Sequence, residues 1–167
     1  MQLTGVDDDA ARVLDSLRRI VRALRVTAHA VERELGISGA QLFVLRELAE
    51  EPGISVRRLS ERTLTDPSSV SVVAARLVER GFVARDQDPA DARRGVLSLT
   101  PRGERLLTRA REPFQARLVR ALRSLPRRSL RRLNADLVAV VHRVGAAEGA
   151  APMFFDEEPK RRIRRGP

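Results

Sequence analysis

The chain has 167 residues, 43% of them apolar, and a formal net charge of +10. That length fits one compact domain with tails, and the apolar share supplies a core, which excludes wholesale disorder. With no cysteine and only two histidines, His29 and His142, disulfides, thiol redox sensing and a cysteine- or histidine-rich metal site have no ligands to draw on.

No apolar run approaches the roughly 20 residues needed to span a bilayer. The opening MQLTGVDDDA lacks the charged and apolar regions of a signal peptide, so a cytoplasmic protein is expected. Lys160 is the only lysine and arginine carries the positive charge. A genome-wide bias toward Arg and Ala would account for Arg over Lys; the excess of positive charge itself points to a polyanionic partner. Five Phe with no Tyr or Trp offer little to stack single-stranded bases. Duplex recognition through grooves and backbone needs no such rings.

In chain order, residues 7–35 read as one long helix. Asp7, Asp8 and Asp9 favour its N-terminus. Val13, Leu17, Ile20, Leu24, Ala28, Val31 and Leu35 recur at three- and four-residue steps, and Gly36 is a natural stop. A helix this long, with a stripe near a heptad repeat, usually packs against other helices or another subunit. A second helix is predicted over 38–50, capped by Ser38, with Leu42, Leu45 and Leu48 inward. A short third follows over about 55–62, starting at Ser55. Thr63-Leu64-Thr65 forms a turn. Asp66-Pro67 opens a fourth helix, as N-cap and first-turn proline, with Val70, Val73, Ala74 and Leu77 inward and Gly81 at its end.

The period then changes. Phe82 to Arg85 and Val96 to Leu99 read as two strands of a hairpin, with a polar, charged tip over 86–95. Thr100 caps a further helix, expected to run to about Leu125 with a bend at Pro113. A last helix, about 127–144, puts Leu130, Leu133, Leu137, Val140, Val141 and Val144 on one side. From Ala146 the periodicity is lost, and the stretch ending in Lys160 to Arg165 reads as a mobile basic arm.

The fold class is therefore mainly α with a small β-wing. A short helix and turn brace a following helix so that it can enter a major groove about 12 Å wide. From Leu59-Ser60-Glu61-Arg62, through Ser68 to Val83, to Arg85, Asp88, Asp91, Arg93-Arg94, Leu99-Thr100 and Gly103, the sequence resembles the MarR family of winged helix-turn-helix regulators. The likeness covers roughly 35–104. It implies an N-terminal dimerisation helix (1–36), a DNA-binding region (37–103), C-terminal dimerisation helices (104–146) and a tail outside the pattern (147–167).

The resemblance also implies roles. Ser68, Ser69, Ser71, Val72 and Arg76 of the fourth helix, with Arg62 before it, would face DNA. Arg93 and Arg94 would enter the minor groove, with Asp91 orienting one of them. Val72 departs from the polar or basic residue common there, and would meet a thymine methyl. Leu14, Leu17 and Val21 with Leu133, Leu137 and Val141 would form the dimer, and His29 is a candidate for the effector pocket. No metal and no cofactor are implied.

Plainer roles stand beside these. Ser68 and Ser69 also suit helix capping, Arg76 a solvated surface, Asp88 to Arg94 turn polarity, and both histidines an ordinary helix face. The expectation is a dimeric, sequence-specific transcription regulator. It would be a repressor released by a small-molecule effector, on a pseudo-palindromic duplex operator. A sequence-independent architectural DNA binder is the alternative. A protein-binding adaptor would also use a winged helix. An enzyme would need a nucleophile, phosphate loop or ligand cluster, and none is evident.

Overall fold

Short polar side chains placed just ahead of apolar runs decide where most helices of this chain begin. The structure, a computed structural model, describes residues 5–88, 91–146, 151–154 and 156, without the side chains of residues 92 and 93. Helix α1 (Gly5–Leu35) is followed by α2 (Gly39–Glu50), β1 (Ile54–Ser55), α3 (Val56–Thr63), α4 (Pro67–Glu79), β2 (Val83–Asp88), β3 (Asp91–Leu99), α5 (Pro101–Thr108), α6 (Phe114–Ser124) and α7 (Arg127–Arg143). Ser38 and Gln41 satisfy each other's backbone at the start of α2: the Gln41 N–H donates to Ser38 Oγ at 3.1 Å, and the Ser38 N–H donates to Gln41 Oε1 at 3.0 Å. Ser55 Oγ accepts from the Arg58 N–H at 3.2 Å and caps α3. Each such cap contributes about 1 kcal/mol.

Helix α2 lies at the centre and is buried well beyond the stripe read from the sequence. Leu42, Phe43, Val44, Leu45 and Leu48 are all inaccessible to solvent. Against them pack Leu59 of α3, Val70, Val73 and Leu77 of α4, and Phe82, Val83 and Leu97 of the sheet. Its surroundings on several sides replace the one-sided period expected of a surface helix.

Two expectations are corrected. The helix foreseen from Thr100 to Leu125 is two helices, because Pro113 has no N–H to donate and disfavours helical backbone in the residue before it. Pro113 is extended (φ −68°, ψ 142°) and precedes α6. The hairpin belongs to a three-stranded antiparallel sheet of order β1-β3-β2. Its extra strand pairs Ile54 with Leu97 and Ser55 with Val96. The ladder between β2 and β3 also climbs into the stretch read as a polar tip, through Asp86 opposite Val96 and Gln87 opposite Gly95. The long stripe on α1, expected to pack against other helices or another subunit, is mostly uncovered within one chain. Leu24 and Val31 are buried, whereas Val13 and Leu17 are exposed.

The wing is fixed at its base by one close approach. The Phe82 carbonyl accepts from the Thr100 N–H at 3.1 Å. Thr100 Oγ1 donates to the Gly81 carbonyl at 2.8 Å and accepts from the Gly103 N–H at 3.2 Å. A Cβ on Gly103 would lie 2.3 Å from the Phe82 carbonyl oxygen, so the start of α5 sits against the end of α4 only with glycine there. Gly103→Ala should therefore destabilise the fold by about 1–3 kcal/mol, the usual cost of overpacking. Urea denaturation monitored by circular dichroism would measure it, and an unchanged midpoint would contradict the packing described.

Candidate nucleic-acid interface

The segment α3–turn–α4 is held by its turn. Leu64 takes the left-handed conformation (φ 52°) and ends α3, and the Thr65 N–H donates back to the Ser60 carbonyl at 3.1 Å. From α6, the Arg123 guanidinium donates to the Arg62 carbonyl at 2.9 Å and to that of Glu61 at 3.2 Å, covering the C-terminal end of α3. Helix α4 then starts at Asp66, whose carboxylate accepts from the Ser68 N–H at 2.8 Å and from Ser68 Oγ at 2.5 Å. These bonds hold the Asp66 carboxyl below its usual range, the Ser68 hydroxyl contributing most.

With Val70, Val73, Ala74 and Leu77 turned inward, the outer face of α4 presents Ser68, Ser71 and Val72 to solvent. Val72 is 46% exposed, the apolar spot foreseen from the sequence. Ser68 serves its own helix start as well. Ser69 and Arg76 are partly covered. Ser69 Oγ donates to the Ala151 carbonyl at 3.3 Å, and the Arg76 guanidinium pairs with the Asp156 carboxylate.

The wing carries its charge outward. Arg94 is 72% exposed, and its Nε lies 3.3 Å from Asp91 Oδ2, so the two residues expected to pair do meet. The Arg93 backbone belongs to β3, but its side chain lies outside the described residues, so the expectation for it stays open.

Arg62 is placed otherwise than expected. Its guanidinium turns inward to α2 and meets three carboxylates: Glu47 at 2.8 Å, Glu50 at 2.5 Å and Glu51 at 2.9 Å. Its side chain is only 20% exposed. It braces α3 against α2. Arg58 adds a two-pronged contact to Glu51 at 3.0 and 3.2 Å, which holds the Glu51 carboxyl below its usual value. Glu47 behaves oppositely: burial pushes its carboxyl up and outweighs the attraction of Arg62.

The expectation for His29 stays open. His29 stands on the exposed face of α1 with Leu14, Leu17 and Val21. The cleft between α1 and the rest of the chain is lined instead by Leu24, Thr27, Ala28, Val31, Gly39 and Phe114. Leu14, Leu17 and Val21, and likewise Leu133, Leu137 and Val141, are exposed within one chain.

Several residues carry no signal in the sequence. Glu47 looks like a surface helix residue until α3 is docked on it. Arg80 donates to Gln41 Oε1 at 3.1 Å and to the Gly36 carbonyl at 2.7 Å. With Arg102 it also flanks the Phe82 ring, at 5.2 and 4.7 Å from the centroid. Met153 and Asp156, within the stretch read as an arm, pack on the helices. Among the described residues no group of three or more His, Cys, Asp or Glu is placed to hold a metal ion, and no helix is long and apolar enough to cross a membrane.

A short bracing helix, a tight turn, a helix with a solvent-facing N-terminal half and an arginine-bearing two-stranded wing define a winged helix-turn-helix protein. The family model described as MarR family matches residues 35–94. The uncharacterized HTH-type transcriptional regulator ML2140 of Mycobacterium leprae is 32% identical over 135 residues, covering 75% of this chain and 94% of that relative. Shorter matches reach 39% identity over 70 residues, and there the chain covers 52% of the relative's length. Among solved structures, Sco3205 of Streptomyces coelicolor, a MarR family regulator in complex with DNA, aligns over 90% of this chain and 94% of its own. Its TM-score is 0.58 at 22% identity, which speaks for the fold. The PcaV regulator of Streptomyces coelicolor, in complex with its natural ligand, covers 89% and 100% at 25% identity and a TM-score of 0.51. The chain belongs to the MarR family of transcriptional regulators.

The Arg62 brace gives a measurable pH signature. In Arg62→Ala, Glu47 keeps its burial and loses its main counter-charge, so its folded pKa rises further above the unfolded one. A carboxyl raised in this way leaves the folded state most stable below the unfolded value, and that stability is lost as pH rises through the folded one. Arg62→Ala should thus cost about 1–3 kcal/mol near neutrality. The deficit should shrink as pH falls toward the ordinary carboxyl value of 4.5. Thermal unfolding across that range checks this; a deficit independent of pH would place the loss in packing alone.

Proposed function

We propose that this MarR-family regulator binds duplex DNA as a homodimer at a pseudo-palindromic operator, in the cytoplasm, and represses until a small organic effector releases it. The observation that carries the DNA reading is the pairing of an outward α4 surface (Ser68, Ser71, Val72) with a wing whose Arg94 stands in solvent. Hydroxyls and N–H groups near a helix start suit phosphate or base edges. A guanidinium on a protruding hairpin suits a narrow minor groove. Ser69, Arg76 and the Asp91–Arg94 pair complete the proposed contact set. The sequence-independent alternative finds no support in the comparisons, and the relatives are transcriptional regulators rather than enzymes.

Dimerisation is supported by two uncovered apolar faces. No residue of α7 is buried, although Leu133, Leu137, Val138, Val140 and Val141 recur along it. The N-terminal half of α1 likewise exposes Val13, Leu14, Leu17 and Val21. Its ion pairs, Asp8–Arg12 and Asp15–Arg19, are exposed and contribute only about 0.3–0.5 kcal/mol each, too little to hold a helix of 31 residues in place. A second copy of the chain, bringing the same faces, covers both by two-fold symmetry. That arrangement sets the two α4 helices about one turn of duplex, roughly 34 Å, apart. The ligand-bound PcaV structure supports a small-molecule effector, which would act by preferring one spacing of the two recognition helices.

Leu137→Glu should give a monomer in light scattering and remove operator binding, since one half-site alone is held weakly. Arg94→Ala should keep the dimer and weaken binding to an inverted repeat from the gene's own upstream DNA by roughly 1–3 kcal/mol. Footprinting and fluorescence anisotropy on that duplex report both, and a uniform affinity for any sequence would instead support the architectural reading.

A further inference from the structure

Residues read as an arm are seated on the molecule. Ala151, Pro152, Met153 and Phe154 line a groove between the α3–α4 turn (Thr63 to Asp66) and α6 (Gln115, Leu118, Leu122). Met153 is 3% exposed and joins the main core. The Asp156 N–H donates to the Met153 carbonyl at 3.2 Å, a turn that brings the Asp156 carboxylate to Arg76. That ion pair is well shielded, with side chains 24% and 12% exposed. Upstream, the Ala151 carbonyl takes the Ser69 hydroxyl. Phe154 also reaches the cleft lined by Leu24, Thr27 and Ala28, where only about 10 Å³ remains, barely room for one water. One short stretch thus buries Met153, walls two hollows and occupies two side chains of the recognition helix.

We propose that Ala151 to Phe154, with Asp156, dock beside the α3–α4 turn and α6 as a tethered occupant, and that they compete with duplex DNA for Arg76 and Ser69. The proposal rests on the DNA-binding reading above. The guanidinium committed to Asp156 has fewer donors left for a phosphate, and a carboxylate on that face repels the backbone. The sequence of the segment suits such a competitor, with an apolar Pro152-Met153-Phe154 anchor ahead of the acidic Asp156-Glu157-Glu158. Competition of this kind weakens the observed affinity by the fraction of molecules left open. A segment seated nine-tenths of the time costs about tenfold.

The test uses the whole chain and a duplex of its upstream DNA. Met153→Ser removes the anchor without changing charge, and should bind the duplex roughly three- to tenfold more tightly than the unaltered chain. Arg76→Ala should cost more affinity in the Met153→Ser background than alone, because only there is Arg76 fully available. The chain has no Trp or Tyr, so Phe154→Trp supplies a single reporter whose emission should move to the red when saturating duplex displaces the segment. If Met153→Ser perturbs the fold by circular dichroism, Asp156→Asn replaces it and must show the same gain. Equal affinities for a duplex that both chains bind, or an emission unmoved at saturation, overturn the tethered occupant and leave the regulator reading intact. Failure of both chains to bind any duplex at low salt removes the two readings together.

Discussion

Burial of α2 is the constraint on which the rest depends. Five consecutive or near-consecutive apolar side chains, Leu42 to Leu45 and Leu48, are removed from water together. Each such side chain contributes roughly 1.5–3 kcal/mol on burial, far more than any cap or surface ion pair here. Burying so much of one helix requires walls on several sides, which α3, α4 and β3 supply. The angle between α3 and α4, and hence the outward pose of Ser71 and Val72, follows from how Leu59, Val70 and Val73 fit against that helix. The reading surface is thus a by-product of where the core wants its leucines.

The charge of the chain divides by the company each arginine keeps. Arg62 and Arg58 are taken up by glutamates of α2 and α3, Arg123 by carbonyls at the end of α3, and Arg80 by Gln41 and Gly36. These guanidiniums join elements together. Arg94 keeps its side chain in solvent at the wing. A net charge of +10 therefore overstates what is available to a polyanion, and composition alone cannot sort the joining arginines from the others. The sorting depends on carboxylates far along the chain, such as Glu47 fifteen residues before Arg62.

Around this lobe, α1 and α7 leave apolar stripes uncovered within one chain, and Met153 packs into the core beside α6. Helix α6 touches both the lobe and α1, lining the cleft through Phe114 and bracing α3 through Arg123.

Much of the architecture was legible in sequence because its signals are local. Ser38, Ser55, Asp66 and Thr100 announce helix starts through bonds made within three residues, and a glycine at 103 two residues after proline survives as a signature of the wing's base. The resemblance over 35–104 rests on those same local features. Long-range contacts decided the rest. Ile54-Ser55 is too short a strand to leave a period, and exists because Leu97 and Val96 are there to pair. Beyond Val83 and Leu97 the described strand residues of the wing are not buried, so nothing imposes alternation there and the length of the strands could not be read. Arg62 turned inward once docking brought three glutamates to it, His29 fell on the outer face of α1, and Met153 turned from arm to anchor. What neighbours in sequence do to each other was written in the chain; what neighbours in space do had to wait for the fold, because burial and ion pairing depend on which distant residues the core brings together.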